Sequence, residues 1–359
     1  MQNRLLSLDV FRGLTVAAMI LVNNPGDWGH VYAPLLHAEW HGCTPTDLIF
    51  PFFLFIAGVS IVFAMGKNKP SVFKIAKRSA ILFGLGLFLS LYPKFEFGTV
   101  RIMGVLQRIG LVFFICSLVF LYTTRKTQIW LTVGILVGYC LLMTYVPVPD
   151  VGYPNLAPET NMGAWLDRLV LTPDHLWKKA KVWDPEGLLG TLPAVATGLL
   201  GVLTGQWLKT ERAISERMTW LFLAGNALII IGLIWDLVFP VNKALWTSSY
   251  VCYAGGWAMV GLAICYWLID VQGYRSFTTV PLVFGVNAIT VFFLSGVIPR
   301  TMSLIQIDGK DAKTYLYESF IAPLFANAYN ASLAGALIFL AIWFVILYLM
   351  YKQKIFVKV

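Results

Sequence analysis

Charge is what this chain has least of. Asp, Glu, Lys and Arg make up 13% of its 359 residues, against 58% apolar residues, and the mean hydropathy is +0.73. A soluble domain carries about 25% charge. Too few charged groups exist here to cover a water-facing surface, so a soluble globule is excluded, as are a disordered chain and a coiled coil. Cysteine is also sparse. The five (Cys43, Cys116, Cys140, Cys252, Cys265) form no CxxC, and the last four lie inside apolar runs. That excludes a disulfide framework or a Cys-based metal site and reads as buried thiols. A cleavable leader is not expected, because the first apolar segment carries Asp9 and Arg12 and lacks a small-residue cleavage site.

What the chain has in excess is apolar runs long enough to cross a bilayer, which takes about 20 residues. Leu48–Gly66, Ile129–Val146, Gly187–Leu208, Met218–Trp235, Ala244–Ile269, Ser276–Pro299 and Ser332–Tyr351 contain no charge. Three more carry a few charges: Leu5–Asn23 (Asp9, Arg12), Ile75–Tyr92 (Lys77, Arg78) and Arg101–Tyr122 (Arg101, Arg108). The prediction is an all-α polytopic membrane protein with about ten spans, forming one transmembrane domain over residues 1–359. With the N-terminus inside, the inner segments hold fifteen basic residues against four acidic ones, and both termini fall on the cytoplasmic side. The formal charge of +9 is therefore an orientation signal, and no folded array exists to hold basic residues against nucleic acid. Two outer connections are long: Pro147–Glu186, with an amphipathic piece at Met162–Leu171, and Arg300–Ala331, with a short or re-entrant helix expected at Ser319–Asn330.

Chemistry concentrates between the first two spans. Asn23–Asp47 reads NNPGDWGHVYAPLLHAEWHGCTPTD and holds three of the four histidines with Asp27, Glu39 and Asp47. Histidine is the usual general base near neutral pH, and a carboxylate on its other ring nitrogen fixes the tautomer. His37, His41, Glu39 and Asp47 could supply such a pair. A solvated loop whose histidines only make hydrogen bonds fits the composition too. A metal on His37 and His41 would need a third ligand, and none is assigned.

At these residues the sequence resembles the heparan-α-glucosaminide N-acetyltransferase family. The resemblance is carried by SLDVFRGLTVAAMILVNN, HAEWHGCTPTDLIFPFFLFIAGVSI, RIMGVLQRIG, WDPEGLLGTLPA, PVNKALWTSSY and Gly285–Asn287. It implies acetyl transfer from acetyl-CoA to the amine of a glucosamine-type sugar, on a protein of the inner (cytoplasmic) membrane with its acceptor at the periplasmic side. It also implies a homodimer. The catalytic histidine of the family falls on His37, and its neighbouring Asn and Asp fall on Asn23 and Asp47. His37 would act as general base or carry the acetyl group itself. Asn23 could donate to the developing oxyanion. His41 stands where the lysosomal members carry Asn.

For the donor, arginine suits phosphate through its planar fork. Arg101 and Arg108, with Gln107 between them, could line a path for the CoA pyrophosphate, or pair with Asp9, Asp184 or Glu186 as structural clamps. Lys74, Lys77 and Arg78 are candidates for the 3′-phosphate, although the positive-inside bias alone explains such residues. For the acceptor, Glu39, His41, Asp184, Glu186, Asn242, Lys243 and Trp246 could form a polar mouth. Asp184 and Glu186 fit equally well as helix-terminus acids, and Trp246 as a belt residue. A proton-coupled sugar transporter and a glycan O-acyltransferase are the competing readings.

Overall fold

The computed structural model describes residues 5–66 and 69–357. Arg4, Lys67 and Lys358, three of the residues behind the orientation argument, lie outside the described residues.

The chain is helical nearly throughout. In order, the helices are α1 (Leu6–Asn23), α2 (Ile49–Met65), α3 (Val72–Leu91), α4 (Val105–Tyr122), α5 (Arg125–Tyr145), α6 (Met162–Leu171), α7 (Leu188–Leu208), α8 (Ile214–Asp236), α9 (Ser248–Tyr266), α10 (Thr279–Val286), α11 (Ala288–Met302), α12 (Ala312–Leu316) and α13 (Ala328–Lys352). The only paired strands among the described residues are Gln306–Ile307 and Lys310–Asp311, in a small hairpin. Helix starts follow side-chain caps. Ser71, Thr124, Asn161 and Asn327 each accept a backbone N–H from the first turn of α3, α5, α6 and α13.

Among the described residues, eight helices are long and apolar enough to span a membrane, and the pair α10–α11 would make a ninth span. Two of the ten expected spans therefore differ. The run Ser276–Pro299 breaks at Asn287, where α10 and α11 meet at 79°. Helix α3 has the length of a span, 20 residues, but carries Lys74, Lys77 and Arg78 in its first turns.

Chain contacts divide the molecule into two compact units. One comprises Glu39–Cys43 and Pro51–Ile264. Within it α4 packs on α3 and α7, and α5 packs on α7. Helix α7 is the most enclosed, and α8 turns most of its apolar surface outward, as a lipid-facing helix does. The other unit comprises Leu5–Ala38, Thr44–Phe50 and Cys265–Val359. Within it α1 lies along α10 so closely that a Cβ on Gly13 would fall 1.6 Å from the Pro281 carbonyl oxygen. Small residues let helix backbones meet in this way. The charges expected in α1 are paired: Arg12 donates to Asp9 at 2.8 Å.

Candidate functional site

The loop after α1 is built from short-range hydrogen bonds. Thr44 donates to the Leu36 carbonyl at 2.6 Å, and Thr46 to the Pro34 carbonyl at 3.0 Å. These two hydroxyls fold the loop back on itself. Thr44 and Asp47 then form a reciprocal capping box at the turn Pro45–Leu48, which leads into α2. Asp47 is buried, and its Oδ2 accepts the backbone N–H groups of Ala38 and Thr44, each at 3.0 Å. Its Oδ1 is left facing His37 Nδ1 at 2.7 Å.

The sequence HAEW…PTD thus supplies an oriented imidazole. A carboxylate accepting at Nδ1 keeps the ring proton there, so Nε2 is the basic nitrogen. The His37 side chain is half exposed and Asp47 is 1% exposed. A buried orienter beneath an accessible ring is the arrangement a general base requires. Asn23 is exposed at the last residue of α1, while its neighbour Asn24 is buried and donates to the Ile20 carbonyl. A second pair lies earlier in the loop, His30 Nδ1 at 2.6 Å from Asp27 Oδ2, both partly exposed.

The other unit holds a buried ionic centre. Arg101 donates through Nε to Asp184 Oδ2 at 2.8 Å, and through one terminal nitrogen to Asp184 Oδ1 and Glu186 Oε2, both at 2.5 Å. Of the two roles expected for Arg101, its contacts are those of the clamp. Burial and the adjacent Glu186 raise Asp184 above the usual carboxylate range despite Arg101. Burial also opposes ionisation of Glu186, but the summed pull of Arg101, Arg108 and Lys243 holds it below that range.

Arg108, on α4, has no exposed surface. It donates to the Gly187 carbonyl at 3.0 Å and lies 5.0 Å over the Trp246 ring. Its Nε and other terminal nitrogen have no hydrogen-bond partner among the described residues.

Of the remaining expected residues, Trp246 and Lys243 adjoin this centre. Trp246 has no exposed surface and donates to Thr197 Oγ1 at 3.1 Å, so its place is the core and not a membrane belt or a surface platform. Asn242 is buried too. Its Oδ1 accepts the Leu245 N–H at 2.8 Å, and its amide nitrogen lies 3.4 Å from His41 Nδ1. Gly42 bonds the Val241 carbonyl at 2.7 Å, which pins the Glu39–Cys43 segment to this turn. Glu39 and His41 are exposed, and Lys243 is half-buried. Gln107 donates to the Ile102 carbonyl at 3.0 Å and lies against the bare Cα of Gly86. Lys77 and Arg78 are exposed on α3, with Arg78 4.7 Å above the Phe113 ring. No group of three or more His, Cys, Asp or Glu converges as a metal site among the described residues.

One residue escapes sequence reasoning. Asp167, on α6, is 2% exposed and lines a small cavity with Trp40, Trp183, Asn161 and Asp184. Burial pushes its carboxyl up to about 7, against the Leu188 N–H that it accepts. The signal was present: Ala164, Asp167 and Leu171 share the buried face of an amphipathic helix.

The chain is 29% identical to the heparan-alpha-glucosaminide N-acetyltransferase of Mus musculus over 423 aligned residues, covering 99% of this chain and 61% of that protein. It is 29% identical to the Homo sapiens protein of the same name over 424, covering 99% and 60%. The chain therefore spans about three-fifths of the length of these relatives. The family model described as heparan-alpha-glucosaminide N-acetyltransferase, catalytic, matches residues 4–239, which include the His37–Asp47 pair and the Arg101–Asp184–Glu186 centre. With well over half of its residues under that model, the chain belongs to the heparan-alpha-glucosaminide N-acetyltransferase catalytic family.

Proposed function

We propose that this chain is a membrane acetyltransferase that moves an acetyl group from acetyl-CoA to the amine of a glucosamine-type sugar, with His37 as its general base. The observation that carries this reading is the 2.7 Å contact between His37 and the buried Asp47, within the matched family region.

In this reaction the sugar nitrogen attacks the thioester carbonyl carbon. The C–N bond forms, the C–S bond breaks, and the electron pair of that bond leaves with sulfur. His37 Nε2 takes the amine proton, and the sulfur receives a proton from the imidazolium as CoA departs. Asp47 holds the ring and stabilises its charged state. Proton transfer by a positioned group of this kind contributes about 10²–10⁴ in rate. Asn23, at the exposed end of α1, is assigned the oxyanion donor role.

The same reading sets the termini on the cytoplasmic side of the inner membrane, the acceptor at the periplasmic side, and the active form as a homodimer. The basic inner surface supports it, with Lys77 and Arg78 of α3 assigned to the donor phosphates. Arg101, held by Asp184 and Glu186, is assigned to structure.

The test supplies radiolabelled acetyl-CoA and a panel of amino sugars to the detergent-solubilised protein. Wild type should form labelled N-acetyl sugar, and His37→Ala should lose at least a hundredfold in rate. No transfer to any amino sugar overturns the reading, and solute flux without acetyl-CoA use would point to a transporter.

A further inference from the structure

Three of the long apolar helices, α5, α7 and α8, have an end at Trp207. Trp207 sits in the last turn of α7, and its indole N–H donates to the Arg217 carbonyl of α8 at 3.1 Å. The Arg217 guanidinium reaches back to the Leu208 carbonyl, and its Nε is buried with no hydrogen-bond partner among the described residues. Arg125, the first residue of α5, has its Cζ 6.0 Å from the centre of the Trp207 ring. Arg212, in the turn before α8, has its Cζ 5.3 Å from the same centre.

A bias toward Lys and Arg at this end of the helices accounts for the presence of these cations. It does not account for their convergence. A ring attracts one cation, and a second on the same ring is repelled by the first. The nearby acids are Glu211, which is exposed, and Glu216, which pairs with Arg212. Arg125 has no ion-pair partner among the described residues. Arg125 and Lys126 moreover open α5, where the helix dipole and the unsatisfied N–H groups are already positive. An anion relieves like charges gathered in this way.

The surroundings select the anion. Two planar guanidinium forks suit the oxygens of a phosphate. From Arg125 an i, i+4 ridge of α5 continues through Ile129, Val133 and Val137, which are 42%, 44% and 42% exposed. Helix α8 turns Trp220 and Leu223 outward as well. A phosphate site at the end of membrane-spanning helices, continued by an apolar stripe, has the outline of a phospholipid. The phosphates of coenzyme A lead into a polar arm, which the stripe does not match.

We propose that Arg125, Arg212 and Trp207 bind the phosphate of an anionic phospholipid, whose acyl chain lies along Ile129, Val133 and Val137. The site selects net negative headgroups, because the ammonium of a choline headgroup is repelled by the same arginines. It is independent of the acetyl-transfer reading.

The test uses the full-length protein, stripped of lipid in an uncharged detergent, and native mass spectrometry with phosphatidylglycerol and phosphatidylcholine of the same acyl chains. Wild type should bind phosphatidylglycerol at least tenfold more tightly than phosphatidylcholine. The double variant Arg125→Gln with Arg212→Gln should lose at least fivefold in phosphatidylglycerol affinity and leave phosphatidylcholine nearly unchanged. Both positions are exposed, and the Arg212–Glu216 pair that the variant gives up is a surface pair of small worth. Lys352→Gln removes a cation from the end of α13 and should keep the preference.

Equal affinity of wild type for the two lipids overturns the site, as does an unchanged preference in the double variant. An equal loss in Lys352→Gln would reduce the preference to overall charge and overturn it too. Should the double variant not fold, Arg125→Gln alone must lose at least threefold, and no loss overturns the proposal. Inorganic phosphate and coenzyme A are added as competitors. Displacement of phosphatidylglycerol by coenzyme A, with coenzyme A affinity lost in the double variant, would assign the cluster to the acetyl donor and overturn the lipid. Displacement by inorganic phosphate as effective as by phosphatidylglycerol itself would show that the stripe adds nothing, with the same consequence.

Discussion

His37 Nδ1 lies 2.7 Å from Asp47 Oδ1, and the same carboxylate holds the Ala38 and Thr44 N–H groups through its other oxygen. One buried side chain therefore sets both the fold of the loop and the tautomer of the ring. The two tasks separate by mutation. In Asp47→Asn the amide oxygen can still accept the two backbone N–H groups, and the NH₂ then faces His37. Nδ1 must become an acceptor and the proton moves to Nε2, which removes the base. The expected outcome is a variant that melts within a few degrees of wild type but transfers acetyl about 10²–10⁴ times more slowly. Matching rates for the two proteins would mean that Asp47 is a cap alone.

Arg101 offers a contrast between a clamp and a ligand contact. Its guanidinium spans Asp184 and Glu186, both at most 8% exposed in their side chains. Removing one partner of a buried ionic group leaves the others uncompensated and costs about 3–5 kcal/mol. Arg101→Ala should therefore lower the thermal midpoint strongly, and Arg101→Lys, which lacks the fork, should recover only part of it. A donor-binding Arg101 would behave differently, with stability preserved and the acetyl-CoA KM raised.

Most of the fold was legible because hydrophobic runs and basic loops are properties of composition. The amphipathic segment Met162–Leu171 appears as α6 with the same bounds. The His37–Asp47 pairing was legible for a local reason, since ten residues separate the partners and a Thr-capped turn closes the gap. What composition does not carry is pairing between distant segments. Arg101 finds Asp184 over 83 residues, and nothing near either residue announces the other. The break between α10 and α11 was hidden for a similar reason, because the run is apolar on both sides and the partners of the Asn287 amide lie in the distant C-terminal tail. The short helix expected at Ser319–Asn330 is met in part: helical turns at Tyr317–Ile321 and Ala322–Leu324 continue α12, and α13 already begins at Ala328.

That break yields its own prediction. Asn287 is 1% exposed, donates to the Ile355 carbonyl at 3.1 Å and accepts the Val357 N–H at 3.0 Å. Its amide makes the two bonds a β-strand neighbour would make, and so ties the tail to the point where α10 meets α11. Each such bond is worth about 1 kcal/mol. Asn287→Ala should speed hydrogen exchange at the Val357 amide roughly tenfold or more, while exchange in α7 stays as it is. Unchanged exchange at Val357 would show that the tail is held by other contacts.

Asp167 makes stability depend on pH in a direction opposite to most carboxylates. Burial moves it from an ordinary 3.8 up to about 7, with Asp184 adding repulsion and Arg108 and Arg168 opposing. Between those two values the folded chain holds a proton that the unfolded chain has released. Folding is then favoured by acid, and the gain is lost as pH rises through about 7. The effect amounts to at most about 1.4 kcal/mol per pH unit over that window, a few kcal/mol in all. Asp167→Asn has no proton to lose, so it removes this slope. Thermal midpoints in detergent at pH 5, 6, 7 and 8 should show wild type gaining on the variant toward pH 5 and the variant gaining on wild type toward pH 8. Parallel curves for the two proteins would mean that the Asp167 carboxylate is as well solvated in the cavity as in the unfolded chain.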